Sequence, residues 1–204
     1  YPQIAKSGDT EEGRKMLSVS FKMVSLLSVV VLTGLIWLRE WLIHLAYSDK
    51  FLPAAQIMPI QCLGDYAYML GMTFSVFCMG AGLKRRFLLG WVGYYGVMLL
   101  VFFVSMPTLG LMAYSFAYMA GACVLAGVHL GWVLLRGAPG QRMAILPVAL
   151  AGGLVMLAAA GIAKAHLGFF PSAVIPIGAC LLASYLYFPP RVLLARLRAG
   201  RNQN

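Results

Sequence analysis

The chain has 204 residues, of which 61% are hydrophobic and only 11% charged. A soluble domain of this size carries about a quarter charged residues, so composition excludes that class and points to a lipid bilayer. The formal net charge of +10 raises the possibility of nucleic acid, but the basic residues stand in short clusters between apolar runs. That is the pattern of cytoplasmic loops touching anionic lipid headgroups, and no nucleic-acid partner is expected.

Residues 1–16 read as a cytoplasmic loop. They open on Tyr1, not Met, and Tyr1-Pro2-Gln3-Ile4-Ala5-Lys6 lacks the basic start and apolar core of a signal peptide. We therefore expect the chain to be the C-terminal part of a longer protein. The first apolar segment covers 17–38, and its helix can continue to 47, past the outer interface at Arg39-Glu40-Trp41. Lys22 lies near its cytoplasmic end with Ser18 and Ser25 on the same face. A cation there suits the pyrophosphate of a lipid carrier; the plainer reading is that Lys22 snorkels to the headgroups. Arg39, Glu40 and His44 are expected to form a solvated outer cluster.

The second segment, 54–82, is the most informative. Gln61, Asp65, Tyr68, Met72 and Ser75 recur at i, i+4, i+7, i+11 and i+14, one face of a helix. Asp65 is the only acidic residue well inside any apolar segment. A carboxylate in hydrocarbon costs at least ~2.5 kcal/mol, so it must face a bundle interior, a partner or water. It is a candidate for binding a coupling proton or sodium ion, or for accepting hydrogen bonds from a sugar. Gln61, Tyr68 and Ser75 either line the same pathway or glue helices together.

A basic turn, Lys84-Arg85-Arg86, precedes the third segment, 87–106, where Gly90, Gly93 and Gly96 suggest close helix packing and Tyr94 and Tyr95 lie between them. The fourth, 109–135, places Ser115, Tyr118 and His129 on one face and carries the small pair Gly127 and Gly131. His129 suits a proton relay or a satisfied interior histidine. The fifth and sixth segments are 143–163 and 171–188, followed by a basic tail, 189–204, in which Arg191 to Arg198 form a short amphipathic stretch. Each segment is near the ~20 residues that a span requires.

Six spans put both ends of the chain on one side. Of the 16 basic residues, 13 fall on the side of the ends (Lys6, Arg14, Lys15 and Lys22, then Lys84 to Arg86, Arg136 and Arg142, and the tail), against Arg39, Lys50 and Lys164 opposite. The positive-inside rule makes the first side cytoplasmic. Cys62, Cys78, Cys123 and Cys180 all lie in apolar segments without metal-ligand spacing. No soluble-enzyme motif occurs, and neither a catalytic role nor a cofactor or metal is expected.

Several features follow one another in a telling order. Tyr1-Pro2-Gln3-Ile4-Ala5 leads into the charged stretch Gly8 to Lys15, and a long helix closes on Leu42-Ile43-His44-Leu45-Ala46-Tyr47. Phe51-Leu52-Pro53-Ala54-Ala55, the turn Ala81 to Arg86, and Pro107-Thr108-Leu109-Gly110-Leu111-Met112-Ala113 each then open a helix. Over residues 1–135 this ordered set resembles the C-terminal half of polysaccharide flippases, the O-antigen and capsule repeat-unit exporters of the multidrug/oligosaccharidyl-lipid/polysaccharide exporter superfamily. The resemblance implies an all-α integral membrane fold with six transmembrane helices. Residues 17–135 would be the four-helix part of the second of two pseudo-symmetric bundles, and 136–188 an additional helix pair. It further implies a bacterial cytoplasmic membrane, a missing N-terminal half as partner, and an undecaprenyl pyrophosphate-linked oligosaccharide as substrate. The substrate and ion pathway would draw on Asp65, Gln61, Tyr68, Ser75, Lys22, His129 and Tyr118. The alternatives are a drug/cation antiporter or a peptidoglycan-precursor flippase of the same superfamily and, less favoured because the outer loops are short, a membrane glycan polymerase.

Overall fold

The computed structural model describes residues 10–47, 49–136 and 139–164. It is almost wholly helical, with no strand among the described residues. Helix α1 (Glu11–Ala46) begins where the Thr10 hydroxyl accepts the Gly13 N–H at 3.3 Å, with Glu11 and Glu12 complementing the positive end of the helix dipole. Its 36 residues extend ~54 Å, well beyond a hydrocarbon core of ~30 Å. Lys15 and Glu11 pair at 2.8 Å in the first turns, fully in solvent reach.

A 3-10 segment (Asp49–Gln56) containing Pro53 leads to α2 (Met58–Gly80), which carries Pro59 in its first turn, where no amide donor is needed. A Schellman motif ends α2: the Leu83 N–H donates to Cys78 O at 2.8 Å and the Gly82 N–H to Met79 O at 3.3 Å. Gly82 has φ +72°, which glycine adopts without Cβ strain. Helix α3 (Lys84–Leu109) follows and stops at Gly110, whose φ is +54°. Helices α4 (Met112–Arg136) and α5 (Pro139–Lys164) complete the described chain.

Hydropathy marks the part of a helix that meets lipid, while backbone hydrogen bonding carries the helix further. Thus α1 starts at Glu11 instead of residue 17, and α5 begins at Pro139 instead of 143. The expected second segment, 54–82, divides into the 3-10 segment and α2, since Pro53 and Pro59 interrupt continuous α geometry there. The expected sixth span and the tail lie outside the described residues.

Helix α2 is central. It packs on α4 with one face and on α1 and α5 with the other, while α3 packs chiefly on α4. The main core joins α1, α2 and α5 through Leu17, Phe21, Ile36, Phe74, Phe77 and Met156. A smaller one joins α3 and α4 around Tyr94, Ala122 and Leu125. Three helices, α1, α3 and the Met112–Val133 stretch of α4, are long and apolar enough to cross a membrane, and Ile145–Gly161 of α5 is a shorter apolar stretch. Helix α2 falls outside that group because Gln61, Asp65 and its hydroxyl-bearing residues dilute it. Leu88, Val92, Leu99, Phe103 and Val104 of α3 are exposed. So much outward apolar surface is at home against acyl chains, which marks a membrane protein.

The small-residue pattern differs in part from expectation. Gly127, Gly131 and Gly96 have no neighbour within 4 Å of a built Cβ. Gly90 and Gly93 do pack closely on α4, a Cβ there lying 2.9 Å from His129 Nε2 and 3.2 Å from Val124 Cγ1, and close approach occurs also at Gly64, where a Cβ would lie 2.8 Å from Tyr118 Cδ1, and at Gly71 against Leu125. Gly64 and Gly71 are seven residues apart, the spacing of one helix face, and bring α2 against α4.

Candidate site around Asp65

The polar face of α2 meets a polar face of α4. Asp65 lies ~10 Å along α2 from Met58 and Tyr118 a similar distance along α4 from Met112. With Gly64 allowing the approach, the Tyr118 hydroxyl donates to Asp65 Oδ1 at 2.8 Å. Further along both helices, Ser75 Oγ and His129 Nε2 share a 3.2 Å hydrogen bond. Since residue numbers rise together along the two helices, these bonds pin α2 and α4 in a parallel register.

The two pairs have different surroundings. Ser75 and His129 are buried, and the imidazole stacks on Phe74 with centroids 5.9 Å apart. This geometry matches a satisfied interior histidine. Asp65 and Tyr118 are only half-buried. Among the described residues no Lys or Arg lies within ion-pairing distance of Asp65. A carboxylate has about four lone-pair sites, so one phenol leaves acceptor capacity to spare.

Tyr68, one turn on from Asp65, enters an aromatic cluster. Its ring lies 6.0 Å from Tyr118, 5.8 Å from Tyr94 and 6.3 Å from Trp91. Tyr94 touches Tyr95 at 4.9 Å and Trp91 at 5.7 Å. The Trp91 indole N–H is buried without an acceptor. Trp91 and Tyr114 were not singled out from sequence; no periodicity within one helix shows that three helices bring these rings together. Gln61 is half-buried one turn before Asp65.

Lys22 does not join the site. Its neighbour Phe21 packs on Phe74 at 5.2 Å, while Ser25 bonds to the Tyr66 hydroxyl at 2.9 Å and Ser18 bonds back to Arg14 O at 3.0 Å. The serines expected to accompany Lys22 are thus engaged elsewhere, and Tyr66 turns to α1 and α5 on the face of α2 opposite α4. At the basic turn the Arg86 guanidinium lies 4.3 Å over the Trp132 ring, so this cation also packs α3 against α4. Arg39 reaches Glu40 at 3.5 Å toward the C-terminal end of α1, and His44 is exposed.

No family model matches this chain, and no curated protein or solved structure matches it significantly.

Proposed function

We propose that the chain is part of a membrane transporter that moves lipid-linked oligosaccharide repeat units across a bacterial cytoplasmic membrane for surface polysaccharide synthesis. In this reading it is the second bundle of a two-bundle flippase plus an additional helix pair. It crosses the membrane six times with both ends cytoplasmic, and a further N-terminal bundle supplies the other wall of the cavity. The carrier is of the undecaprenyl pyrophosphate type, and the basic loops rest on anionic headgroups. The role is transport without bond-making chemistry.

The observation that carries this reading is the half-buried carboxylate of Asp65, set within apolar helices, paired only with a phenol among the described residues, that of Tyr118, whose ring joins the cluster of Tyr68, Tyr94 and Trp91. A purely structural helix contact has no need of a charge there, whereas a pathway for polar cargo does. The same pairing of an acid with aromatic rings favours a second reading, export of an organic cation by a drug/cation antiporter of the same superfamily. Lys22 and Arg86 stand apart from the Asp65 pair, and their positive charge suits a pyrophosphate at a separate point of the pathway, which supports the first reading.

Complementation tests the choice. The complete gene is expressed in a bacterium lacking its O-antigen flippase, and surface polysaccharide is read by gel. Restored polysaccharide that is lost with Asp65→Asn supports the flippase. No restoration despite membrane expression, together with cation efflux lost in the same variant, selects the antiporter.

A further inference from the structure

We infer that the aromatic cluster beside Asp65 is a saccharide subsite, in which Tyr95 and Tyr114 offer ring faces to the flat C–H face of a pyranose and Asp65 accepts from its hydroxyls. This rests on the transport reading and names the part of the cargo that this wall meets.

The rings divide into two kinds. Tyr95 and Tyr114 are 54% and 51% exposed. Each is backed by a nearly parallel partner: Tyr95 stacks on Trp91 at 5.7 Å and 30°, and Tyr114 on Tyr118 at 6.5 Å and 15°. Backing holds each outer ring flat; Tyr95 also meets Tyr94 at 4.9 Å and 75°, and each outer ring keeps about half of its residue surface exposed. The inner rings meet edge to face: Tyr68 with Trp91 at 83°, Trp91 with Tyr94 at 76°, and Tyr94 with Tyr118 at 88°. With the tilted Tyr68–Tyr94 and Tyr68–Tyr118 pairs, these contacts take up much of the inner rings' surface.

That geometry separates ligand classes. A cage for an organic cation requires several free ring faces converging on one point. Here the inner rings pack on one another, and the two exposed rings, Tyr95 and Tyr114, stand on different helices. A phosphate requires cations, and none of the ion pairs or cation–π contacts among the described residues places a Lys or Arg on these rings. A sugar requires a flat apolar platform together with a mixture of donors and acceptors. The cluster supplies both: the Tyr68, Tyr94 and Tyr118 rings pack together, and the Tyr118 hydroxyl reaches the Asp65 carboxylate. Asp65 has lone pairs beyond the one that Tyr118 occupies.

The test uses the product of the complete gene in lipid nanodiscs, with methyl gluco-, galacto- and mannopyranoside at millimolar concentration as probes. Saturation-transfer NMR reads contact between protein and ring C–H protons. Transfer to at least one pyranoside is expected, falling roughly tenfold in a Tyr95→Ala/Tyr114→Ala variant, because two ring stacks are lost. The corresponding Tyr→Phe pair keeps the platforms and should retain most of the signal, which guards against a folding defect in the alanine variant. Leu99→Ala, on the exposed face of α3, should change nothing. The subsite is overturned by no transfer to any pyranoside, by equal transfer in the alanine pair, or by transfer to tetraethylammonium alone. Export in the complementation assay without pyranoside contact removes the subsite and leaves the transporter; contact without export removes the transport reading and leaves the subsite.

Discussion

The hydroxyl of Tyr118 donates to the carboxylate of Asp65 at 2.8 Å, joining α2 to α4 inside a pair of apolar helices. Interhelical hydrogen bonds in membranes contribute ~0.6 kcal/mol on average and ~2 kcal/mol at most. The bond is too weak to explain the presence of a charge, because an apolar pair would hold the helices as well without the desolvation cost. Tyr118→Phe should lower unfolding free energy by about 1 kcal/mol, and a double-mutant cycle with Asp65→Asn should give a coupling of similar size. Steric-trap unfolding in bicelles measures both. Coupling indistinguishable from zero would remove the bond from the account.

Ser75 and His129 form the second pin, and we expect it to be structural. Ser75→Ala leaves a buried imidazole nitrogen without its partner and should cost about 1 kcal/mol of stability. Export in cells should remain within about twofold of the parent once protein levels are matched. Loss of export at unchanged stability would place this pair in the pathway.

Gly64 and Gly127 make a direct contrast. An alanine at Gly64 would bring Cβ to 2.8 Å from Tyr118 Cδ1 and 3.1 Å from Met119 Cα, whereas Gly127 has nothing within 4 Å. Gly64→Ala should destabilise by about 1–3 kcal/mol through overpacking. Gly127→Ala should be neutral or slightly stabilising, since glycine is the poorer helix former. Thermal unfolding of the two variants in the same detergent checks the order.

The opposite face of α2 offers a rescue experiment. Tyr66 OH bonds Ser25 Oγ at 2.9 Å and Ala149 O at 3.4 Å, and a Cβ at Gly152 would collide with that hydroxyl. Gly152→Ala should therefore lower the melting temperature, and adding Tyr66→Phe, which removes the colliding atom, should recover part of the loss. No recovery would mean that the contact between α5 and α2 is not limited by this hydroxyl.

The helices were legible in sequence because apolar runs of membrane length admit few alternatives, and Asp65 was legible because a charge in such a run is costly. The pairing of α2 with α4 was half visible. Periodicity placed Asp65 and Ser75 on one face, and Tyr118 and His129 on another, but the register joining them depends on Gly64 and Gly71, which no spacing rule of the G-x-x-x-G kind selects. Conversely, Gly127 and Gly131 fit that rule, yet a Cβ at either would have no described neighbour within 4 Å. The Ser25–Tyr66 bond was hidden because it links residues 41 positions apart. The platform of Tyr95 on Trp91 and of Tyr114 on Tyr118 follows from the fold and not from any local pattern.

The most direct measurement is lipid flipping itself. The complete protein is reconstituted into proteoliposomes holding an undecaprenyl pyrophosphate-linked oligosaccharide, and arrival of the sugar in the opposite leaflet is followed with a membrane-impermeant lectin. The account predicts protein-dependent transfer that drops at least about tenfold in Asp65→Asn while the variant remains folded. Transfer no faster than in empty liposomes would contradict the flippase, and transfer undiminished in Asp65→Asn would remove the carboxylate from its mechanism.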